Sequence, residues 1–339
     1  MKAAVFREAG KPLAIETIPD PSPEAGEAII RVRHCGVCGT DLHATEDHGR
    51  KAGGMVMGHE FCGEIVALGK DTPAGWKEGD RLTSLPFIGC GRCAACLLGK
   101  PWQCATKLII GLGDVGGGFA EYTRVHLNSA VALPDPVSWK SGALVEPLAV
   151  SLHGVRAIRK GLAGKNVLVI GAGPIGLTTA LWCSFFGARH VIVSELDPGR
   201  AQMALRYGAT GLVDATGDVG AQFRELTGAE PELIMECVGV PGMIAKCTEL
   251  APYGGEIIVV GFCAQPDTFM PAFAMAKELS MNFVIAQDKA DFQFVVDMLA
   301  AGRIDVEGLV TDVLTFEQFP AAFEALRKPT SQCKILLEP

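Results

Sequence analysis

Lys165-Asn-Val-Leu-Val-Ile-Gly171-Ala-Gly173-Pro174-Ile175-Gly176-Leu177 is the stretch on which the reading of this 339-residue chain turns. Its opening aliphatic run reads as a strand buried on both faces, the glycines as a tight turn, and Ile175 to Phe186 as a helix. Gly171 permits the turn, Gly173 leaves bare backbone for a pyrophosphate, and Gly176 lets helix and strand close on each other. The helix start adds unpaired N–H groups and partial positive charge, so Pro174 and Ile175 belong to the same cradle. A second apolar run, His190–Glu195, ends in a carboxylate nineteen residues beyond Gly176. That spacing suits a dinucleotide fingerprint. Glu195 can accept both hydroxyls of a ribose and would repel a 2′-phosphate, which favours NAD over NADP. Arg200, five residues later, is the nearest cation and is counted with the cofactor edge. A glycine turn that binds nothing, and a methyltransferase using the same carboxylate, remain as alternatives.

Working outward, Val167–Ala188 is free of charge over twenty-two residues, long enough to cross a bilayer. Its glycines and Pro174 break it into strand and helix, and a lone span broken in this way is rare, so no membrane span is expected. Further short apolar runs follow at Gly211–Asp214, Leu233–Cys237, Glu256–Gly261 and Met281–Ala286, with helical stretches such as Gly199–Tyr207 and Val219–Leu226 between them. This alternation means a doubly wound parallel sheet. Cys237-Val238-Gly239 and Val260-Gly261-Phe262 end later strands at the carboxyl edge, where cofactor contacts or plain sheet core are both expected. The first 140 residues look different: alternating strands at Glu27–His34, Phe61–Leu68 and Arg81–Pro86, many turns, and no long helical pattern. After the sheet the chain returns to mixed character, with helices near 288–301 and 316–326 and strands at Val310–Leu314 and Cys333–Leu337. The α/β chain therefore divides into 1–148, an inserted sheet domain at 149–287, and a returning segment 288–339.

Thirty Lys and Arg against thirty-eight Asp and Glu leave a net charge of −8. With no basic runs, neither nucleic acid nor an anionic membrane is the expected partner. A hydrophobic share of 49% excludes disorder. No signal peptide is visible in Met1-Lys-Ala-Ala-Val-Phe-Arg-Glu, and the twelve cysteines are too unevenly spread for a disulfide scaffold. A reduced, cytoplasmic protein fits better. Four cysteines, Cys90, Cys93, Cys96 and Cys104, crowd one glycine-rich loop within 88–106. Four converging thiolates suit a structural Zn²⁺ with no open position; an iron–sulfur cluster or unrelated cysteines are the alternatives. Trp102 reads as packing for that lobe. His48, His126 and His153 carry no assigned chemistry.

Three separated segments hold further ligand types: Cys38-Gly39-Thr40-Asp41-Leu42-His43, Gly58-His59-Glu60 and Glu146-Pro147-Leu148. Spacing alone does not bring them together, and each residue taken singly is as well explained by core or loop packing. Taken in order with Gly63, Gly69, Gly79-Asp80-Arg81, the four-cysteine lobe and the Val-Leu-Val-Ile-Gly171 fingerprint, they resemble the zinc-containing medium-chain alcohol dehydrogenase family over essentially the whole chain. Glu146, where simple alcohol dehydrogenases carry a second cysteine, is similar to the polyol, butanediol and threonine dehydrogenase branch.

The resemblance implies a GroES-like β-rich catalytic domain interrupted by a Rossmann domain, with the active site in the cleft. It implies one catalytic zinc on Cys38, His59, Glu60 and Glu146, with Asp41 fixing the His59 ring, and one structural zinc on the lobe. It implies that Thr40 takes the hydroxyl proton and passes it through the cofactor ribose to His43, with Glu60 or a bound water as competing base. Lys334 reaches a pyrophosphate on this likeness, or else stands solvated. Ala44 and Thr45 hint at a roomy pocket. The expected activity is reversible hydride transfer between NAD and a secondary alcohol, diol, polyol or amino alcohol. A ketone reductase is the runner-up, ahead of a non-catalytic binding protein. The expected assembly is a homo-oligomer, a tetramer before a dimer, with Met281–Ala286 as a pairing edge.

Overall fold

The computed structural model describes residues 1–46, 54–328 and 331–339; His48 lies outside the described residues. The chain forms two compact units, one of Met1–Ala149 with Gln287–Pro339 and one of Val150–Ala286.

In the second unit six parallel strands run in the spatial order Gly211–Asp214, His190–Glu195, Asn166–Ile170, Leu233–Glu236, Glu256–Val259, Ser280–Phe283. Asn166–Ile170 is buried at every position, as its unbroken aliphatic run demands of a strand covered on both faces. Leu168, Ile192, Ile234 and Ile257 pack with Phe223 and Cys247 from two of the covering helices. Trp182, fully buried, sits edge-on to Phe185 at 5.5 Å. Strand order reverses at Asn166–Ile170, which lies between His190–Glu195 and Leu233–Glu236, so the later strands are laid down outward from it first on one side and then on the other. Ligands of doubly wound sheets sit at such a reversal, beyond the carboxyl ends. The helix Pro198–Arg206 begins where Asp197 accepts the Arg200 amide, and Val219–Thr227 where Asp218 accepts the Ala221 amide. The edge strand covers Ser280–Phe283, shorter than the run that signalled it.

The first unit is built on the ten-residue strand Glu27–Gly36. Glu60–Leu68 pairs along one side of it, and Tyr122–His126 and Lys334–Leu337 along the other. Arg81–Ser84, Ala130–Ala132 and Val310–Leu314 complete the seven-stranded sheet. Its core gathers Ile30, Phe61, Phe119, Phe319 and Phe323, with the Phe119 and Phe319 rings 4.8 Å apart in a T-shape. Gly36, the last residue of its strand, is opposite Glu60, the first of its own, on one flank and Leu336 on the other. In keeping with the lack of a long helical pattern there, the described part of the first 140 residues carries only short helices; Gly39–Ala44 and, just beyond, Trp139–Ala143, of six and five residues, have too few turns to show a period. The longer helix Val145–Arg156 holds Glu146 in its first turn. Among the described residues no helix is long and apolar enough to cross a membrane.

Candidate active site

Cys38 lies two residues past the end of the central strand, Glu60 opens the strand paired with it, and His59 immediately precedes that strand. Strand pairing thus brings together residues twenty-one positions apart. Ligand atoms of Cys38, His59 and Glu60 all lie within 4.8 Å of one another. Asp41 is fully buried beneath them. One of its oxygens accepts the Cys38 amide at 2.9 Å; the other accepts the Gly58 amide and lies 3.3 Å from His59 Nδ1. An imidazole held from Nδ1 presents its other nitrogen as a donor to a metal. A thiol, an imidazole and a carboxylate at this spacing fit Zn²⁺ and leave room for one further ligand.

Glu146 stands outside that trio. Its Oε1 accepts from Gln287 Nε2 at 3.0 Å, and both residues are buried. Burial pushes the Glu146 carboxyl up to about 7, against the pull of His59 and with Glu60 adding to the rise. Gln287 Oε1 is enclosed without a hydrogen-bond partner among the described residues. Nothing in the sequence singled out Gln287, which lies just before the helix Lys289–Ala300 and belongs to no motif.

Thr40 Oγ1 is 3.6 Å from Cys38 Sγ, whereas His43, four-square on the exposed side of the same short helix, meets Glu46 at 3.4 Å. Ala44 and Thr45 are both buried; the Thr45 hydroxyl donates to Leu42 O and accepts from Arg327, so it is occupied in holding the helix. Lys334 is not the solvated lysine that was one of its two expected readings. It is only 3% exposed, and its ammonium donates to both Glu60 oxygens at 2.7 Å and to Val37 O at 2.9 Å. Burial works against its charge, but Glu60 and Cys38 outweigh burial and raise its pKa. It is therefore not solvated, and all three of its donors are spent within its own unit.

The four lobe cysteines, Cys90, Cys93, Cys96 and Cys104, likewise place their sulfurs within 4.8 Å of one another. Tetrahedral Zn–S bonds of ~2.3 Å require sulfurs about 3.8 Å apart, so the set fits the ion. The Cys90 amide donates to Cys104 Sγ at 3.4 Å, and this donation with that of Thr106 holds the Cys104 thiol down at about 6. Gly89 is required there, since a Cβ would press on Cys96 Sγ. The lobe is tied down by Trp102 Nε1, which donates to Asp288 Oδ1 at 3.0 Å, and by the Lys289 amide on Gly99 O.

On the second unit, Gly171 has φ +98°, and a Cβ on Gly176 would collide with the Gly171 carbonyl. Gly173 caps the helix Pro174–Phe185, with Ile175 in its first turn, and has open space over its Cα. A cradle that is open at Gly173 and closed at Gly176 fits a pyrophosphate on bare backbone. Glu195 is buried at its strand end, where its carboxylate accepts the amides of Ala172, Leu196 and Asp197 at 2.7–3.0 Å and Arg200 Nη2 at 3.1 Å. The sequence placed Arg200 near this edge but did not anticipate that it pairs with Glu195. Cys237-Val238-Gly239 and Val260-Gly261-Phe262 lie against each other, with no room for a Cβ on Gly239 or Gly261. Val238 and Phe262 are exposed, which removes sheet core as their role. Glu236, unnoticed in the sequence, is the buried staple of these loops: it accepts the Val238 and Gly239 amides at 2.7 and 2.9 Å. A lone carboxylate ending the apolar run Leu233–Glu236 was the available signal.

A metal-ligating loop unit joined to a dinucleotide-binding sheet defines a metal-dependent dehydrogenase. The alcohol dehydrogenase GroES-like domain matches residues 24–135 and the zinc-binding dehydrogenase domain residues 174–301. The chain is 34% identical to (R,R)-butanediol dehydrogenase of Bacillus subtilis strain 168, covering 100% of both chains. It is 30% identical to sorbitol dehydrogenase of the same organism, over 100% of this chain and 97% of the relative. An Escherichia coli CFT073 alcohol dehydrogenase solved in complex with NADH shares 28% identity at a TM-score of 0.88, over 100% of this chain and 99% of that one. The chain belongs to the zinc-containing medium-chain alcohol dehydrogenase family, in its polyol branch, and is an NAD-dependent oxidoreductase.

Proposed function

We propose that this enzyme interconverts a secondary alcohol and its ketone, the alcohol being a diol, polyol or amino alcohol, with NAD preferred over NADP. The observation that carries the reading is the convergence of Cys38, His59 and Glu60 within 4.8 Å of one another. These three hold a catalytic zinc, with Glu146 beside them; Cys90, Cys93, Cys96 and Cys104 hold a second, structural one. When bound, zinc supplies positive charge that favours the deprotonated hydroxyl, and NAD supplies the hydride acceptor.

The chain's own residues do the rest. Asp41 fixes the His59 ring, and Thr40, on the short helix after Cys38, accepts the hydroxyl proton. His43, half exposed on that helix, gives the proton an outlet to solvent. Glu195 selects the unphosphorylated ribose, while the Gly171–Gly176 turn receives the pyrophosphate and Val238, Val260, Gly261 and Phe262 border the ring end. The enzyme works as a cytoplasmic homo-oligomer, a tetramer rather than a dimer. In support, all twelve cysteines are free, and Phe283 on the edge strand is exposed.

The test is NADH formation over a panel of secondary alcohols, vicinal diols, polyols and L-threonine, with NAD and NADP in parallel. NAD-linked turnover of one class is expected. Silence across the panel from zinc-replete protein overturns the substrate reading.

A further inference from the structure

Lys334 opens the strand Lys334–Leu337 on one flank of Glu27–Gly36, and Glu60 opens the strand on the other flank. Between them is Gly36, and a Cβ at that position would collide with Glu60 Oε2. The Glu60 carboxylate therefore lies over a residue with no side chain, and Lys334 meets it there from the opposite flank. The ammonium's three donors go to Glu60 Oε1, Glu60 Oε2 and Val37 O, all within 2.9 Å. Both partners are almost fully buried. Such a pair is costly to desolvate and contributes little to stability by itself, so its placement calls for another reason. That reason is next door, since Glu60 also keeps an oxygen within 4.8 Å of the Cys38 and His59 ligand atoms.

We propose that Lys334 is the positioning residue of the metal centre: acting across the Gly36 gap, it clamps the Glu60 carboxylate in the orientation that keeps an oxygen at the Cys38–His59 site. The inference rests on the reading of Cys38, His59 and Glu60 as a zinc site. A carboxylate on a two-carbon stem has several rotamers, and most of them turn its oxygens away from a fixed thiolate and imidazole. Holding both oxygens on a single buried cation removes that freedom before the metal arrives. Partners of metal ligands of this kind change metal affinity by about 10–100-fold when removed. Gly36 and Lys334 are thus one device, the glycine opening the space and the lysine filling it with charge.

The experiment measures zinc affinity by chelator competition, and the Co²⁺ absorption spectrum, on the full chain carrying K334M, K334R, E60Q, E60Q/K334M or C38A. The four-cysteine lobe is an internal reference that none of these changes should alter. K334M is expected to weaken the exchangeable site by about 10–100-fold and to shift the Co²⁺ spectrum. K334R should restore most of the affinity. K334M leaves a buried carboxylate without its partner and can compromise folding, so the uncharged E60Q/K334M pair is compared with E60Q. Equal affinities there mean that Lys334 acts through Glu60. Wild-type affinity and spectrum in K334M, or a full K334M effect repeated on the E60Q background, overturns the clamp. If C38A still fills the exchangeable site, the zinc reading itself fails, an outcome distinct from failure of the clamp alone.

Discussion

At Glu195 a single carboxylate takes the amides of Ala172, Leu196 and Asp197 and the guanidinium of Arg200. It therefore organises the glycine turn and the start of the next helix in addition to the ribose contact proposed for it. Glu195→Ser is expected to raise the KM for NAD by about 10–100-fold, the scale of losing charge-assisted hydrogen bonds. The same change frees Arg200, so the ratio of NADP to NAD turnover should rise; an unchanged KM for NAD would sink the assignment. A second residue-scale prediction concerns His34, whose pKa burial depresses, with Lys140 adding to the fall and Glu338 opposing it. The folded chain keeps His34 neutral where the unfolded chain takes up a proton, so its contribution is complete above about pH 6.5 and is lost as pH falls below that value. Calorimetry from pH 7.5 to 5.5 should show a shallower decline of Tm for His34→Asn than for the unaltered chain. Parallel declines would refute it.

At the scale of elements, the turn between Asn166–Ile170 and Pro174–Phe185 separates folding from binding. Gly176 is closed in by the Gly171 carbonyl, whereas Gly173 has nothing within 4 Å of an added Cβ and an ordinary φ of −69°. Gly176→Ala should cost about 1–3 kcal/mol of stability through overpacking, together with cofactor affinity. Gly173→Ala should keep the unaltered Tm and lose NAD affinity, because the methyl stands where a pyrophosphate must approach. Thermal melts with NADH fluorescence titrations separate the two, and equal behaviour of both variants would contradict the cradle. Legibility follows the same division. Strand and helix periods, and the glycines between them, are local signals, which is why His190–Glu195 and Gly211–Asp214 stand where the apolar runs placed them. Gly39–Ala44 has too few turns to declare itself, and the ends of later strands stop short of their apolar runs because Val260 and Gly261 leave the ladder to cap on Glu236.

For the whole molecule, the sheet of the second unit ends in Ser280–Phe283, an edge with Phe283 and Ile285 exposed beyond it. If the proposed homo-oligomer pairs through this edge, Phe283→Asp is expected to lower the mass measured by light scattering while each chain keeps its cofactor affinity; an unchanged mass would refute that pairing. Ligand chemistry was open to a reader of the chain, because the kinds of residue are written there: four cysteines on one loop, a Gly-x-Gly-x-x-Gly turn with a carboxylate downstream, and Cys38, His59, Glu60 and Glu146 in family order. The sequence by itself determined the α/β division, the parallel sheet and the glycine-rich turn, since each depends on residues close along the chain. Only the tertiary structure decided that Gly36 brings Lys334 onto Glu60 and that Gln287 holds Glu146 beside the trio. Those contacts join residues up to 274 positions apart. No periodicity or spacing encodes such pairs, because they are set by which strands lie side by side and by where a missing side chain leaves room.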